Sequence, residues 1–187
     1  DADGLADQWE VEHQLDPLNS TDATADNDSD GFSNLQEVLS GTNPFDADDL
    51  PVVLNSYVAS FETTEPLPLG WSVGLASDVQ WRSSWSHADQ MYSLYNDNLP
   101  EGAQAVLLWA GNFADGELQF DWQADIGSAA LYIDEQLIEW PLDDNQRHTF
   151  TLQLSAGFHV VKWLVNDLPG ELVRPRLSLS KLAFFAR

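Results

Sequence analysis

Twelve consecutive residues constrain this chain more than any others: Asp26-Asn27-Asp28-Ser29-Asp30-Gly31-Phe32-Ser33-Asn34-Leu35-Gln36-Glu37. Carboxylates stand at positions 1, 3 and 5 of the run, a glycine at 6, an amide at 9 and a glutamate at 12. Calcium takes six to eight hard oxygens in a flexible shell, and closely spaced aspartates supply the first of them. Gly31 permits the sharp turn, the Phe32 carbonyl offers a backbone oxygen, and Glu37 can close the shell with both carboxylate oxygens. Asn34 at position 9 binds directly or through water. A merely solvated acidic turn would not place six positions in register.

The pattern occurs twice. Asp1, Asp3, Gly4, Leu5, Asp7 and Glu10 precede Asp28, Asp30, Gly31, Phe32, Asn34 and Glu37 by 27 residues. The register continues beyond the loop: Val11 matches Val38, Asp16-Pro17 matches Asn43-Pro44, and Asp22 matches Asp49. Self-similarity at a fixed period signals a repeat architecture, so residues 1 to about 50 are expected to form two tandem repeats. The metal ligands expected are Asp1, Asp3, Leu5, Asp7 and Glu10 in the first loop. Those of the second are Asp26, Asp28, Asp30, Phe32, Asn34 and Glu37, with Asp22 and Asp49 as further candidates. The cofactor is therefore calcium, two ions or more. The first copy opens at its third position, so a longer parent protein with more repeats is expected.

Charge supports this independently. Residues 1–50 hold 14 acids and no Lys or Arg, whereas residues 51–187 hold 17 acids and all seven bases. An all-acid segment repels itself and resists folding unless cations neutralise it. Nucleic-acid partners need clustered Lys and Arg, which a formal charge of −24 does not suggest. Anionic membranes are disfavoured for the same reason, and no apolar run approaches the ~20 residues of a membrane span. The absence of cysteine rules out disulfides and thiolate metal sites. Calcium as the stabilising link suits an extracellular protein, since loops in such modules bind at about 10⁻⁴–10⁻³ M. A secreted or cell-surface location is expected.

Each loop leads into a short helical stretch, roughly residues 6–14 and 33–40. In the second, Leu35, Val38 and Leu39 give spacings of three and four, and Gly41 is a stop signal. The run Asp-x-Asp-Gly-Leu-x-Asp-x-x-Glu followed by Gly41-Thr42-Asn43-Pro44 resembles the bacterial thrombospondin type 3 repeat. The chain departs from that pattern at Gln14-Leu15, where Gly-Thr is usual, and at Asn43, where Asp is usual. A dockerin is the neighbouring alternative, but dockerins usually carry Asp at position 12 and lack the proline-linked spacer. The resemblance implies a calcium-stiffened spacer in secreted or surface proteins, often joining a catalytic domain to accessory modules.

Composition changes at Leu50-Pro51, and seven of the eight tryptophans lie beyond it. Short apolar or alternating runs now follow one another, separated by turn signals every eight to twelve residues. Strands are expected at 56–61, 70–73, 79–82, 91–95, 104–110, 117–124, 129–133, 137–140, 148–154, 158–165 and 177–185. Leu118, Phe120 and Trp122 alternate with Gln119, Asp121 and Gln123, as in a half-buried strand, whereas 158–165 is apolar on both faces, as in a central one. The fold class is therefore mainly β: an antiparallel β-sandwich of jelly-roll type over 51–187, preceded by a calcium-binding repeat segment with short helices over 1–50. Leu67-Pro68-Leu69-Gly70-Trp71, Gly116–Trp122, Ala130–Asp134 and Leu154–Trp163 together resemble the concanavalin-like or MAM-like jelly-roll module of secreted bacterial proteins. That resemblance implies a fold rather than an activity, and no binding residue transfers from it.

Catalysis finds little support. There is no cysteine and no Gly-x-Ser-x-Gly, and His13, His87, His148 and His159 form no zinc-binding pair. Neither Glu117 with Asp121 nor Asp134 with Glu135 is distinctive as a glycosidase pair. Sugar binding needs exposed aromatic rings beside polar side chains. Trp81, Arg82, Trp85 and His87 supply both within one stretch, and Trp140 is a further ring, so these five are the candidate ligand residues. Trp71, Trp122 and Trp163 fall in strand patterns and read as core. Arg174 and Arg176 flank Pro175, placed either for an acidic polysaccharide or as counter-charge. The reading is a non-catalytic, calcium-stiffened linker plus a sandwich that binds polysaccharide within a larger secreted protein, whose other domains are its further partners. The alternatives are a structural or adhesive surface module and an accessory fragment of a secreted hydrolase.

Overall fold

The computed structural model describes residues 3–62, 67, 70–87, 90–96, 98–124, 128–138, 146–167 and 175–187. Among them two short helices precede twelve strands. Helix α1 spans Asp7–Glu12 and α2 spans Asn34–Ser40. Helices of six and seven residues cannot hold themselves in water, so their ends and neighbours decide them. Ser33 caps α2 reciprocally: its hydroxyl accepts from the Gln36 amide and the Gln36 side chain accepts from the Ser33 amide. Gly41 ends α2 in the left-handed region at φ +77°. One period earlier, Gln14 adopts the same conformation at φ +63°, without glycine's freedom.

The strands are β1 (Val53–Leu54), β2 (Ser56–Val58), β3 (Trp71–Val73), β4 (Trp81–Ser86), β5 (Met91–Asn96) and β6 (Gln104–Phe113). They continue with β7 (Gly116–Ala124), β8 (Ser128–Ile133), β9 (Gln136–Ile138), β10 (Arg147–Leu154), β11 (Gly157–Asn166) and β12 (Leu177–Ala186). One sheet runs β1-β6-β11-β8-β9, with β3 also on β6; the other runs β10-β7-β12-β5-β4, with β2 also on β12. Every pairing is antiparallel except β1 with β6. The doubly apolar strand β11 lies between β6 and β8, as its composition requires.

Alternation assigns the faces. Leu118, Phe120 and Trp122 of β7, with Leu177, Leu179 and Phe184 of β12, point inward against Leu107 and Trp109 of β6 and Val161, Trp163 and Val165 of β11. Phe120 meets Trp163 edge-on at 5.5 Å and Phe113 meets Phe184 at 5.1 Å, joining the two sheets. Trp71 stacks between Trp109 at 5.5 Å and Trp163 at 5.6 Å. Each such aromatic pair adds about 0.5–1.5 kcal/mol beyond its area burial. The antiparallel-rich, two-sheet β architecture expected from the sequence is what forms.

Two corrections concern the candidate ligand stretch. Residues 83–86 belong to strand β4, because polar Ser83, Ser84 and Ser86 pair in register with Leu94, Ser93 and Met91. Trp81 is 3 % exposed and its indole N–H donates to the Val106 carbonyl at 3.2 Å, so it is a core residue and not a ligand contact. Strand β12 carries a bulge between Ser180 and Ala183, with Lys181 at φ +49°.

Candidate metal centres and a candidate ligand face

The 27-residue period of the sequence reappears in the backbone. Gly4 and Gly31 turn at φ +103° and +102°. The Leu5 amide donates to Asp3 Oδ1 at 2.9 Å as the Phe32 amide donates to Asp30 Oδ1 at 2.8 Å. The Asp16 amide donates to Asp22 Oδ2 at 3.0 Å as the Asn43 amide donates to Asp49 Oδ2 at 3.1 Å. Asp26 anchors the second loop with both oxygens, accepting from the amides of Ser29 at 2.7 Å and Gly31 at 3.0 Å. The loop backbone thus occupies one oxygen of Asp28 and of Asp30, and the other oxygen of each lies buried.

Carboxylates converge in both loops. Oxygens of Asp3, Glu10 and Asp22 lie within 4.8 Å of one another, and so do those of Asp26, Asp28 and Asp30. Glu10 and Glu37 are fully buried. Both Glu10 oxygens, Asp22 Oδ1, Asp28 Oδ2, Asp30 Oδ2 and Glu37 Oε2 are buried without a hydrogen-bond partner among the described residues. Burial, then Asp28 and Asp30, pushes the Glu37 carboxyl up to about 7; Thr42 Oγ1 opposes this and Asp26 adds to it. Burial, then Asp3, Asp22 and Asp7, likewise raises that of Glu10. Buried like charges without partners oppose folding unless a cation joins them. These residues fit a hard divalent ion, whose ligands are carboxylate oxygens.

The two loops are physically linked. Asn34 donates its side-chain amide to the Asp22 carbonyl at 2.8 Å and accepts the Asn27 amide at 3.3 Å. Amides of Asn34 and Leu35 donate to Ala25 and Ala23 carbonyls, and the Leu35 side chain covers Gly4. Asp22, set in the spacer by this link, contributes to the cluster of the first loop.

A cleft of about 290 Å³ lies on the second sheet. Arg147, Gln123, Ser178, Tyr95 and Arg82 form one continuous row across β10, β7, β12, β5 and β4, opposite in face to the inward Trp122, Leu179 and Leu94. All of them except Arg82 line the cleft, with Ser84, Ser93, Trp85 and Arg176. The Arg176 guanidinium lies 3.9 Å over the Tyr95 ring. Trp85 is 43 % exposed and meets Tyr92 edge-on at 5.1 Å. The β12 bulge directs Lys181 onto Asp121 at 2.7 Å, and Asp121, itself buried, also accepts the Thr149 hydroxyl at 2.6 Å.

Ser155, His159 and Asp134 also come together. His159 Nδ1 lies 2.6 Å from Asp134 Oδ2, while Nε2 lies 2.9 Å from the Ser155 carbonyl and 3.4 Å from its hydroxyl. With both ring nitrogens facing acceptors, the imidazole ties the Asp134-Glu135 turn to β11.

Residues 26–47 match the family model of the bacterial TSP3 repeat. No curated protein matches the chain in sequence. Among solved structures, the K1 cleaved adhesin domain of Lys-gingipain from Porphyromonas gingivalis W83 is similar over 71 % of this chain and 98 % of that one, at 13 % identity and a TM-score of 0.50. A mutant of a carbohydrate binding module of family 29 is similar over 70 % and 92 %, at 17 % identity and a TM-score of 0.46. The secreted serine protease VesC from Vibrio cholerae is similar over 64 % of this chain at 18 % identity and a TM-score of 0.48; the chain spans 24 % of VesC. These likenesses describe the fold. Among the described residues no helix is long and apolar enough to cross a membrane.

Within the TSP3 match, Asp26, Asp28 and Asp30 cluster and Glu37 lies in their field, while Asn34 bridges to the spacer. Phe32 is half-buried and Leu5 buried. Asp7 is exposed on α1, and Asp49 is exposed in its bond to the Asn43 amide. Asp1 and Trp140 lie outside the described residues. Of the candidate ligand residues, Trp85 lines the cleft, Arg82 ends its row, and His87 is exposed after β4. Tyr95, Arg147 and Gln123 carry no sequence mark as ligand contacts, because three separate strands contribute them, whereas Arg176 is one of the two arginines beside Pro175 that the sequence offers to an acidic polysaccharide or as counter-charge. Only period-2 reading of each strand, combined with strand order, could have grouped them.

Proposed function

We propose that this chain is a non-catalytic part of a larger secreted bacterial protein, in which a calcium-stiffened TSP3 segment (residues 1–50) precedes a jelly-roll β-sandwich (51–187) that binds carbohydrate. Buried, convergent carboxylate oxygens support the calcium reading. Asp3, Glu10 and Asp22 would hold one ion, with Asp7 and the Leu5 carbonyl as neighbours and Asp1 a further candidate ligand by its place in the repeat. Asp26, Asp28, Asp30 and Glu37 would hold another, with the Phe32 carbonyl and Asn34 beside them. Bound calcium supplies the positive charge that lets these carboxylates pack together.

The cleft carries the carbohydrate reading. Trp85, 43 % exposed at the edge of the cleft, and the Ser, Gln and Arg side chains that line it combine stacking surface with directional hydrogen bonds. The non-catalytic reading is supported by His159, whose Nε2 is closer to a carbonyl than to the Ser155 hydroxyl. Affinity electrophoresis against plant and marine polysaccharides, with calcium and with EDTA, tests the proposal. Retardation by one polymer that disappears in Trp85→Ala is the expected result. A protein retarded by none is instead a structural or adhesive module.

A further inference from the structure

We infer that the glycan bound on this sheet face is anionic, its carboxylate or sulfate groups engaged by Arg147 and Arg176. This rests on the carbohydrate-binding reading above. In a chain of formal charge −24 with seven Lys and Arg in all, four of the seven (Arg82, Arg147, Arg176 and Lys181) sit on the outer face of one sheet. Lys181 is matched there by the buried Asp121 carboxylate. Arg147 and Arg176 line the cleft itself.

The geometry of Arg176 favours an oxyanion. Its guanidinium carbon lies 3.9 Å over the Tyr95 ring. A guanidinium held over an aromatic ring keeps N–H donors for a carboxylate or sulfate, with which it can pair through two parallel hydrogen bonds. Arg147 and Arg82 close the two ends of the five-strand row. Four strand intervals of about 4.8 Å separate them, roughly 19 Å, long enough for several sugar units laid across the strands. Acids farther than about 8 Å from this face are largely screened from it at physiological ionic strength. Fourteen of the 31 acids lie in residues 1–50, outside this sheet.

Titration calorimetry of the whole chain in calcium tests this with four hexasaccharide probes: oligogalacturonate, its methyl ester, a sulfated galactan and a neutral galactan. Binding of the uronate or of the sulfated probe is expected, and which of the two it is identifies the anion. The neutral galactan is expected to bind at least tenfold more weakly, and so is the methyl ester if uronate is the ligand. Arg147→Gln and Arg176→Gln are each expected to weaken binding by about tenfold or more without moving the unfolding midpoint. Arg176→Lys, which keeps the charge but not the planar fork, restores only part of the loss. Equal binding of neutral and charged probes, or arginine variants that bind like the parent, overturns the inference and leaves carbohydrate binding standing. Failure of every probe, together with no retardation on the wider polysaccharide panel, overturns both.

Discussion

Exchanging Glu37 for glutamine is expected to stabilise the protein in EDTA and destabilise it in calcium. Glu37 is fully buried, and burial with Asp28 and Asp30 raises its carboxyl from about 4.5 to about 7. At about 1.4 kcal/mol per pKa unit, ionising it in the folded, metal-free loop costs roughly 3 kcal/mol. Water at the open side, where Asp26 is exposed, screens this to about 1–2 kcal/mol. The sign follows from linkage. A raised folded pKa means that the folded state holds its proton longer than the unfolded chain. Metal-free stability therefore falls as pH rises from about 4.5 to about 7 and is then level. Glutamine has no charge to bury, so at pH 8 in EDTA the variant should exceed the parent by about 1–2 kcal/mol, a lead that vanishes near pH 4.5. With calcium at about a hundred times its dissociation constant, the parent gains about 2.7 kcal/mol. The variant, short of one charged ligand, gains less, and the order reverses. Urea unfolding followed by tryptophan fluorescence at pH 5 and pH 8, in both media, measures all four differences. A variant equally destabilised in EDTA and in calcium would refute the account of Glu37 as a charge held ready for an ion.

Other substitutions test neighbouring claims. Asp22→Asn should lower calcium stoichiometry or affinity at the first loop while sparing the second, read by calorimetry. Gln14→Gly should stabilise by about 1 kcal/mol, and Gly41→Ala should destabilise by a similar amount, because both positions turn at positive φ; urea midpoints check the pair. Trp81→Ala should cost about 3–5 kcal/mol, whereas Trp85→Ala should change stability by less than about 1 kcal/mol while removing polysaccharide retention.

The twelve-residue loop was legible because calcium chemistry dictates residue types at fixed positions. Strands β5, β7, β8 and β10 to β12 were legible within one residue because alternation and apolar runs mark them, while β6 runs three residues past its expected end to Phe113. The Ser33–Gln36 cap carries a sequence signature in its three-residue spacing ahead of the apolar run. Strand β4 was cut short because Ser83, Ser84 and Ser86 lack a strand signature; their ladder partners on β5 decide them. Trp81 and Trp85, four residues apart on one strand, look alike in sequence. Only the packing of β4 shows that one lies in the core and the other at the rim. The cleft itself was invisible, since strand order, which no local pattern encodes, brings β10 and β4 into one face.

Residues 51–58 set where this molecule can be cut. The Pro51 carbonyl accepts the Asn112 side chain, Leu54 pairs with Phe113, and the Asn55 carbonyl accepts the Ala186 amide. Within eight residues the chain completes an edge of one sheet through β1 and of the other through β2. A fragment beginning at Tyr57 would uncover the Asn112–Phe113 end of β6 and shorten the cover of β12, presenting unpaired backbone to any passing strand. Excision of the sandwich for study should therefore begin before Pro51, and a protease that nicks near Asn55 should leave a protein that self-associates.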